Sequence, residues 1–228
     1  MKNKIAVLLA GSGVYDGSEI HEATFTLLAL NQRGFDVQCV APNREQHHVV
    51  NHITGEEMQE TRNVLVESAS IARGAVEDIV KVTAKDFDGL VIPGGFGAAK
   101  NLNQWALAGP DGQIFEEVKL FIQAFVAANK PIVGLCMGPT VIAKALEGSE
   151  HHAKITVGTT QANSPYDIAG INGGLTSVGA SVQEKTITEI AVDTDLKIIT
   201  APCYMMEGNI SQVHDNIQMA IARLAEIL

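Results

Sequence analysis

The sequence predicts an α/β fold, a mostly parallel sheet with helices on both faces. Three observations predict it. Short, nearly continuous apolar runs recur along the chain, as strands buried on both faces require. Longer stretches with helical periodicity separate them. The 228 residues are 46% hydrophobic with 21 glycines and 7 prolines, ordinary for a compact fold and enough for one large domain over 1–228.

Taken in order, IAVLLA (5–10) reads as a buried strand running into a Gly-rich turn. It is too short for the apolar core of a signal peptide, despite the two lysines before it. EIHEATFTLLALNQRG (19–34) reads as a helix stopped by Gly34, and DVQCVAP (36–42) as the second strand. The polar segment 43–63 reads as a long loop with short elements, and VLVESASIAR (64–73) as a helix. DGLVIPGG (88–95) is a strand ending in a Gly-Gly turn. The helix GQIFEEVKLFIQAFVAANK (112–130) leads into the strand PIVGL (131–135), and a helical pattern follows Cys136 directly. AVDTDLKIITAP (191–202) reads as a hairpin turning at Thr194-Asp195, and the stretch from Ile210 to the end as a closing amphipathic helix.

The formal charge of −10, with no basic run, leaves nucleic-acid binding without an electrostatic footprint. No segment approaches the length of a membrane span, so no membrane partner is expected. Three cysteines do not make a disulfide framework, and a reducing, cytosolic compartment is the expectation.

Ligands of such sheets bind where loops leave the carboxyl ends of the strands. Three loops qualify, after strands 5–10, 88–93 and 131–135. Cys136 stands at the third, on a strand-to-helix corner between Gly134 and Gly138. Small neighbours allow a sharp turn that presents the side chain. The helix N-terminus behind it favours thiolate, the nucleophilic form. The flanking glycines favour a presented thiol over a small buried hydrophobe. In the second loop the Gly95 amide is a candidate oxyanion donor, with a plain tight turn as the alternative. In the first, Glu19 and Glu22 share a helix face, and Glu22 is the candidate proton shuttle, its pKa raised in a partly dry pocket. Glu19 reads as a solvated first-turn residue. Cys39 reads as core. Cys203, just past a strand, reads as a loop position that reaches the same sheet edge, where it is a candidate pocket-lining residue, with a resolving or redox role as the alternative. The histidine pairs 47–48 and 151–152 and His52 have no ligand-set spacing, so no metal is expected.

At these residues the chain resembles the DJ-1/PfpI superfamily, relatives of the class I glutamine amidotransferases. GSEIHEAT is similar to its first-helix motif, ending on Glu22; LVIPGGFGAAKNL to its Gly-Gly loop, at Gly95; and IVGLCMGPT to its nucleophile elbow, at Cys136. VYDGSEIHEA, NHITGEEMQETRNVL and PGGFGAAKNL resemble the branch named for enhancing lycopene biosynthesis (ElbB), described as isoprenoid-biosynthesis-associated with glyoxalase activity. The resemblance implies a doubly wound, flavodoxin-like sandwich and a homodimer. Asn51, His52, Arg62, Asn63 and Asn101 lie in the branch-like segments as candidate pocket residues, and loop hydrogen bonding is the alternative for each.

Departures from the superfamily pattern narrow the activity. Pro139-Thr140 follow Gly138 where glutaminase domains carry Gln, and TAPCYMMEGN holds no histidine. Met137 occupies the place of the protease branch's histidine, and Gly158 that of DJ-1's. With no Cys-His pair, amide hydrolysis is disfavoured. The resemblance then implies a glutathione-independent and metal-independent glyoxalase acting on small reactive aldehydes, needing no cofactor. Cys136 forms a hemithioacetal, Glu22 moves the proton, and the Gly95 and Met137 amides hold the oxyanion. The alternative is a redox-sensing or regulatory binding protein that uses a low-pKa Cys136.

Overall fold

The computed structural model describes residues 2–228. The chain runs through β1 (Lys4–Leu8), α1 (Ile20–Gln32), β2 (Asp36–Ala41), α2 (Val64–Ile71), β3 (Val76–Asp78), β4 (Gly89–Ile92) and α3 (Trp105–Ala108). It continues through α4 (Glu116–Ala127), β5 (Ile132–Leu135), α5 (Gly138–Leu146), β6 (Lys154–Ile155), α6 (Ile168–Ser177), β7 (Ser181–Val182), β8 (Ala191–Asp193), β9 (Ile198–Ala201) and α7 (Ile210–Ile227). Seven strands form the main sheet in the order β3-β2-β1-β4-β5-β9-β8, and β6 pairs with β7 apart from it. All main-sheet pairings are parallel except β8 against β9. This is the expected mostly parallel sheet flanked by helices. The lone antiparallel pair is the hairpin read from 191–202.

The central strands explain the apolar runs. Every residue of Ile5–Ala10 and of Leu90–Ile92 is fully buried, because helices cover both sheet faces and leave no side for polar residues. Helix α1 packs on α7, and α4 on α5. The α4 side carries a packed aromatic cluster, with Phe125 lying 5.1 Å from Phe121 and 6.4 Å from Phe87, centroid to centroid.

The boundaries differ from the sequence reading where local chemistry intervenes. Strand β1 ends at Leu8 because Ala10 donates to the Ser18 hydroxyl at 2.8 Å and Gly11 to the Ser68 hydroxyl at 2.9 Å instead of to a neighbouring strand. Helix α4 begins only at Glu116, since Gly109–Asp111 forms a separate single turn with Pro110. Strand β3, helices α3 and α6 and a wide helical turn over Ala98–Leu102 are further elements. Each is too short, or in the case of α6 too rich in glycine, to give a periodic signal. Among the described residues no helix is long and apolar enough to cross a membrane.

Phe125 has no exposed surface, so Phe125→Ala leaves a cavity that the flanking rings fill only in part. The expected cost is about 3–5 kcal/mol, read as a lower urea midpoint at unchanged slope.

Candidate active site

The three loops singled out at the sheet edge meet at one point. The β5-to-α5 corner holds Cys136 at φ +54°, a left-handed conformation that non-glycine residues rarely adopt. Its amide donates to the Ala201 carbonyl at 3.0 Å, which fixes the bend against β9. The flanking glycines are steric requirements. A Cβ on Gly138 would lie 2.6 Å from the Ile92 carbonyl oxygen, and one on Gly134 would lie 2.8 Å from Ile142 Cδ1. The thiol is therefore pushed toward the turn after β4 and is only 5% exposed.

That turn is Gly94-Gly95. A Cβ on Gly94 would meet Cys136 Cβ at 2.4 Å and Glu22 Oε2 at 2.6 Å, so the backbone itself forms the wall between acid and thiol. The Gly94 amide donates to Glu22 Oε2 at 3.0 Å, and its carbonyl accepts from the Glu19 amide at 3.0 Å. The Gly95 amide, at φ +93°, donates toward the Cys136 sulfur. The other Glu22 oxygen accepts from the Tyr204 amide at 3.3 Å. Glu22 has no exposed surface and is in hydrogen-bond contact with the Cys136 thiol.

The electrostatics follow from this burial. Loss of water first, and the Glu19 carboxyl second, raise the Glu22 pKa to about 8, against the pull of the Tyr204, Cys136 and Gly94 hydrogen bonds. Burial also pushes the Cys136 thiol well above its ordinary value, the Glu22 charge adds to this, and the Gly95 amide opposes it. The expected low-pKa thiolate is thus corrected. One amide and a helix end do not outweigh a dry site with a carboxyl in contact, so acid and thiol together hold protons near neutrality.

Glu19 is the N-cap of α1 rather than a solvated first-turn residue: it is 8% exposed and accepts from the Glu22 amide at 2.7 Å. Cys203 is fully buried at φ +49°, next to the site, with its amide on Asn216 Oδ1 at 3.0 Å. Burial and the neighbouring Glu22 and Cys136 push its thiol up as well.

The pocket-lining expectations fare differently. A cleft of about 780 Å³ opens beside the elbow, and of the sequence candidates only Met137 lines it. Asn63 caps α2 by accepting from Val66 at 3.1 Å, and Arg62 pairs with Glu60 at 2.9 Å on the surface. Asn51 closes a local turn onto Ile53 at 2.9 Å. Asn101 is a buried clamp that donates to the Ala10 and Asp16 carbonyls at 2.8 and 2.9 Å and accepts from His47 at 3.0 Å. His52 sits one layer behind the wall, stacked on Tyr15 at 5.1 Å. The hydrogen-bonding alternative fits these residues because short amide side chains in a folded loop satisfy the backbone first. The wall is made instead by Tyr15, Phe96, Lys100, Trp105 and Tyr166. Burial first, then the charges of Cys136 and Glu22, push the Tyr166 hydroxyl up to about 12. Tyr166 lies outside all three sheet-edge loops and carries no sequence signal. Among the described residues no group of three or more His, Cys, Asp or Glu is placed to hold a metal.

A positive-φ cysteine at a strand-to-helix turn, faced by an acid from the first helix and by a Gly-Gly amide, is the arrangement the resemblance implied. Residues 3–202 match the DJ-1/PfpI family. The chain belongs to it. Among DJ-1/PfpI relatives, the rat "ES1 protein homolog, mitochondrial" is 39% identical over 98% of this chain and 84% of its own length. The human "Glutamine amidotransferase-like class 1 domain-containing protein 3, mitochondrial" is 40% identical over 98% and 83%. A crystal structure of an isoprenoid biosynthesis protein with an amidotransferase-like domain from Ehrlichia chaffeensis superposes with a TM-score of 0.89 at 34% identity, covering 99% of both chains. The expectation of a cytosolic protein is corrected by these relatives, of which both the rat and the human protein are named mitochondrial. Few, unpaired cysteines separate reducing from oxidising compartments and do not tell one reducing compartment from another.

The Glu22 environment has a measurable consequence. Between the ordinary carboxyl value of 4.5 and about 8 the folded state binds more protons than the unfolded one. The stabilisation is complete below that window and is lost as pH rises through it, with a slope of up to about 1.4 kcal/mol per pH unit. Urea titrations from pH 5 to 8 should show this fall in the native chain and a flatter profile in Glu22→Gln.

Proposed function

We propose that this DJ-1/PfpI chain is a glutathione-independent glyoxalase-type enzyme that converts glyoxal to glycolate and methylglyoxal to lactate. The observation that carries the reading is the contact of a buried, high-pKa acid with a thiol under a backbone amide, with no histidine bonded to the thiol among the described residues. Such a site lacks the imidazole that amide hydrolysis uses to protonate an amine leaving group, and an aldehyde has no leaving group to protonate. Relatives and neighbours support the family; the resemblance implies the activity, and the chemistry of the site permits it.

The steps balance as follows. The Cys136 sulfur adds to the aldehyde carbon while the thiol proton passes by way of Glu22 to the aldehyde oxygen, which the Gly95 and Met137 amides receive as it gains charge. Glu22, as its carboxylate, then takes the hydrogen from that carbon as a proton and returns it to the neighbouring carbonyl carbon while the hydroxyl proton passes from the first oxygen to the second, leaving a thioester of the hydroxy acid. Water attacks the thioester, the hydroxy acid leaves, and the thiol regains its proton. An acid with a pKa near 8 suits both directions of transfer at neutral pH.

The test is glycolate formed from glyoxal without glutathione, with the product itself quantified because exposed thiols and amines deplete aldehydes reversibly. Wild type should form glycolate, Cys136→Ala none, and Glu22→Gln at least about a hundredfold less. Undiminished product in either variant overturns the assignment. The homodimer belongs to the same proposal, and a light-scattering mass of one chain removes it.

Cys203 favours a second reading, an oxidant-responsive thiol pair. It follows β9 as Cys136 follows β5, with Leu135 and Ala201 in register, and within this buried site the charge of Cys136 helps to push its thiol up. Peroxide would oxidise Cys136 to the sulfenic acid, releasing water, and Cys203 would condense with it to a disulfide, releasing a second water. A Cys136–Cys203 disulfide in peptide mass maps after mild peroxide supports this reading, and oxidation confined to Cys39 removes it.

A further inference from the structure

The cleft beside the elbow, which reaches it at Met137, is out of proportion to the smallest dicarbonyls. Its volume of about 780 Å³ falls among the roughly 300–1,000 Å³ sites that enclose drug-sized ligands. Its walls are not those of a water-filled channel. Phe96 and Tyr166 meet edge to face at 5.7 Å, Trp105 and Met137 close the buried side, and Tyr15 forms the rim. Glyoxal or methylglyoxal would touch little of this surface, whereas an aryl or branched apolar group would bury it.

One cation breaks the apolar wall. Lys100 Nζ donates to the Tyr15 carbonyl at 2.8 Å and lies 5.8 Å from the Phe96 ring centroid. It forms no salt bridge among the described residues, and the carboxylates that influence it, Asp16 and Glu57, act only from a distance. Half-buried, it has lost water without gaining a bonded anion, a state that a ligand carboxylate or phosphate relieves.

We propose that the cleft selects α-oxoaldehydes carrying an aromatic or branched apolar group that ends in an anion beside Lys100. The proposal rests on the glyoxalase reading for its reactive end, which is placed at Cys136 and Glu22. The apolar group lies against Phe96, Tyr166 and Trp105. Lys100 is the specificity-determining residue.

The experiment compares kcat/KM for methylglyoxal, phenylglyoxal and para-carboxyphenylglyoxal on the full chain, with each hydroxy-acid product quantified. The expected order rises roughly tenfold from methylglyoxal to phenylglyoxal, as apolar pocket contacts supply. It rises about fivefold more for the carboxylate. Phe96→Ala should shrink the first ratio and Lys100→Gln the second, and ratios within one variant cancel differences in aldehyde reactivity. Calorimetric binding of para-carboxybenzaldehyde to Cys136→Ala is read in parallel, with and without Lys100→Gln. Methylglyoxal turned over as well as or better than the aryl substrates overturns the proposal and leaves the glyoxalase reading standing. If no aldehyde is turned over, that reading fails, and calorimetry decides the cleft. Lys100-dependent binding keeps the ligand class, and absence of binding overturns it.

Discussion

The active-site geometry depends on the contact of the Gly94–Gly97 backbone with the loop before α1. A Cβ at Gly97 would lie 2.3 Å from Gly17 Cα, one at Gly95 2.4 Å from the Glu19 nitrogen, and one at Gly17 2.1 Å from the Ser12 nitrogen. The Phe96 and Gly97 amides donate to the Val14 and Gly17 carbonyls at 2.8 and 2.9 Å. Backbone packed on backbone brings the start of α1 over the end of β4. Only at that separation does Glu22 reach both the Gly94 amide and the Cys136 thiol. Side chains in this seam would hold the two loops apart and leave Glu22 in water with an ordinary carboxyl pKa.

Dryness then sets the chemistry. The amides of Gly94 and Tyr204 stabilise a Glu22 carboxylate, yet full burial beside Glu19 prevails, and the acid keeps its proton near neutrality. The same burial denies Cys136 the thiolate that its helix-end position suggests. Acid and thiol form a coupled pair that holds its protons near neutrality. The strain of a left-handed Cys136 is sustained by its bond to the Ala201 carbonyl and by the flanking glycines.

Around this centre the polar segment 43–63 is held by internal ties. Asp16 accepts from Val50 at 2.8 Å, and Asn101 clamps His47, Ala10 and Asp16. Polar residues that stood out in the sequence therefore shape the cleft from behind, and aromatic residues with no motif around them face it. An Asn in a motif-like segment reads the same whether it touches ligand or backbone. The difference lies in which partner the folded loop brings within reach.

The sequence by itself determined the sheet, the thiol at its edge and the glycines around it. Each is written locally, in a continuous apolar run or in a small residue at a fixed offset from Cys136. It also showed the missing histidines at 137 and 158, because an absent side chain needs no structure to be absent. Tertiary structure alone decided the protonation of Cys136 and Glu22, the proximity of Cys203, and the place of Tyr166 and Lys100 in the cleft wall. Those properties depend on burial and on distances between segments far apart in the chain. Hydrophobic periodicity records which face of an element is buried, not which groups are buried together.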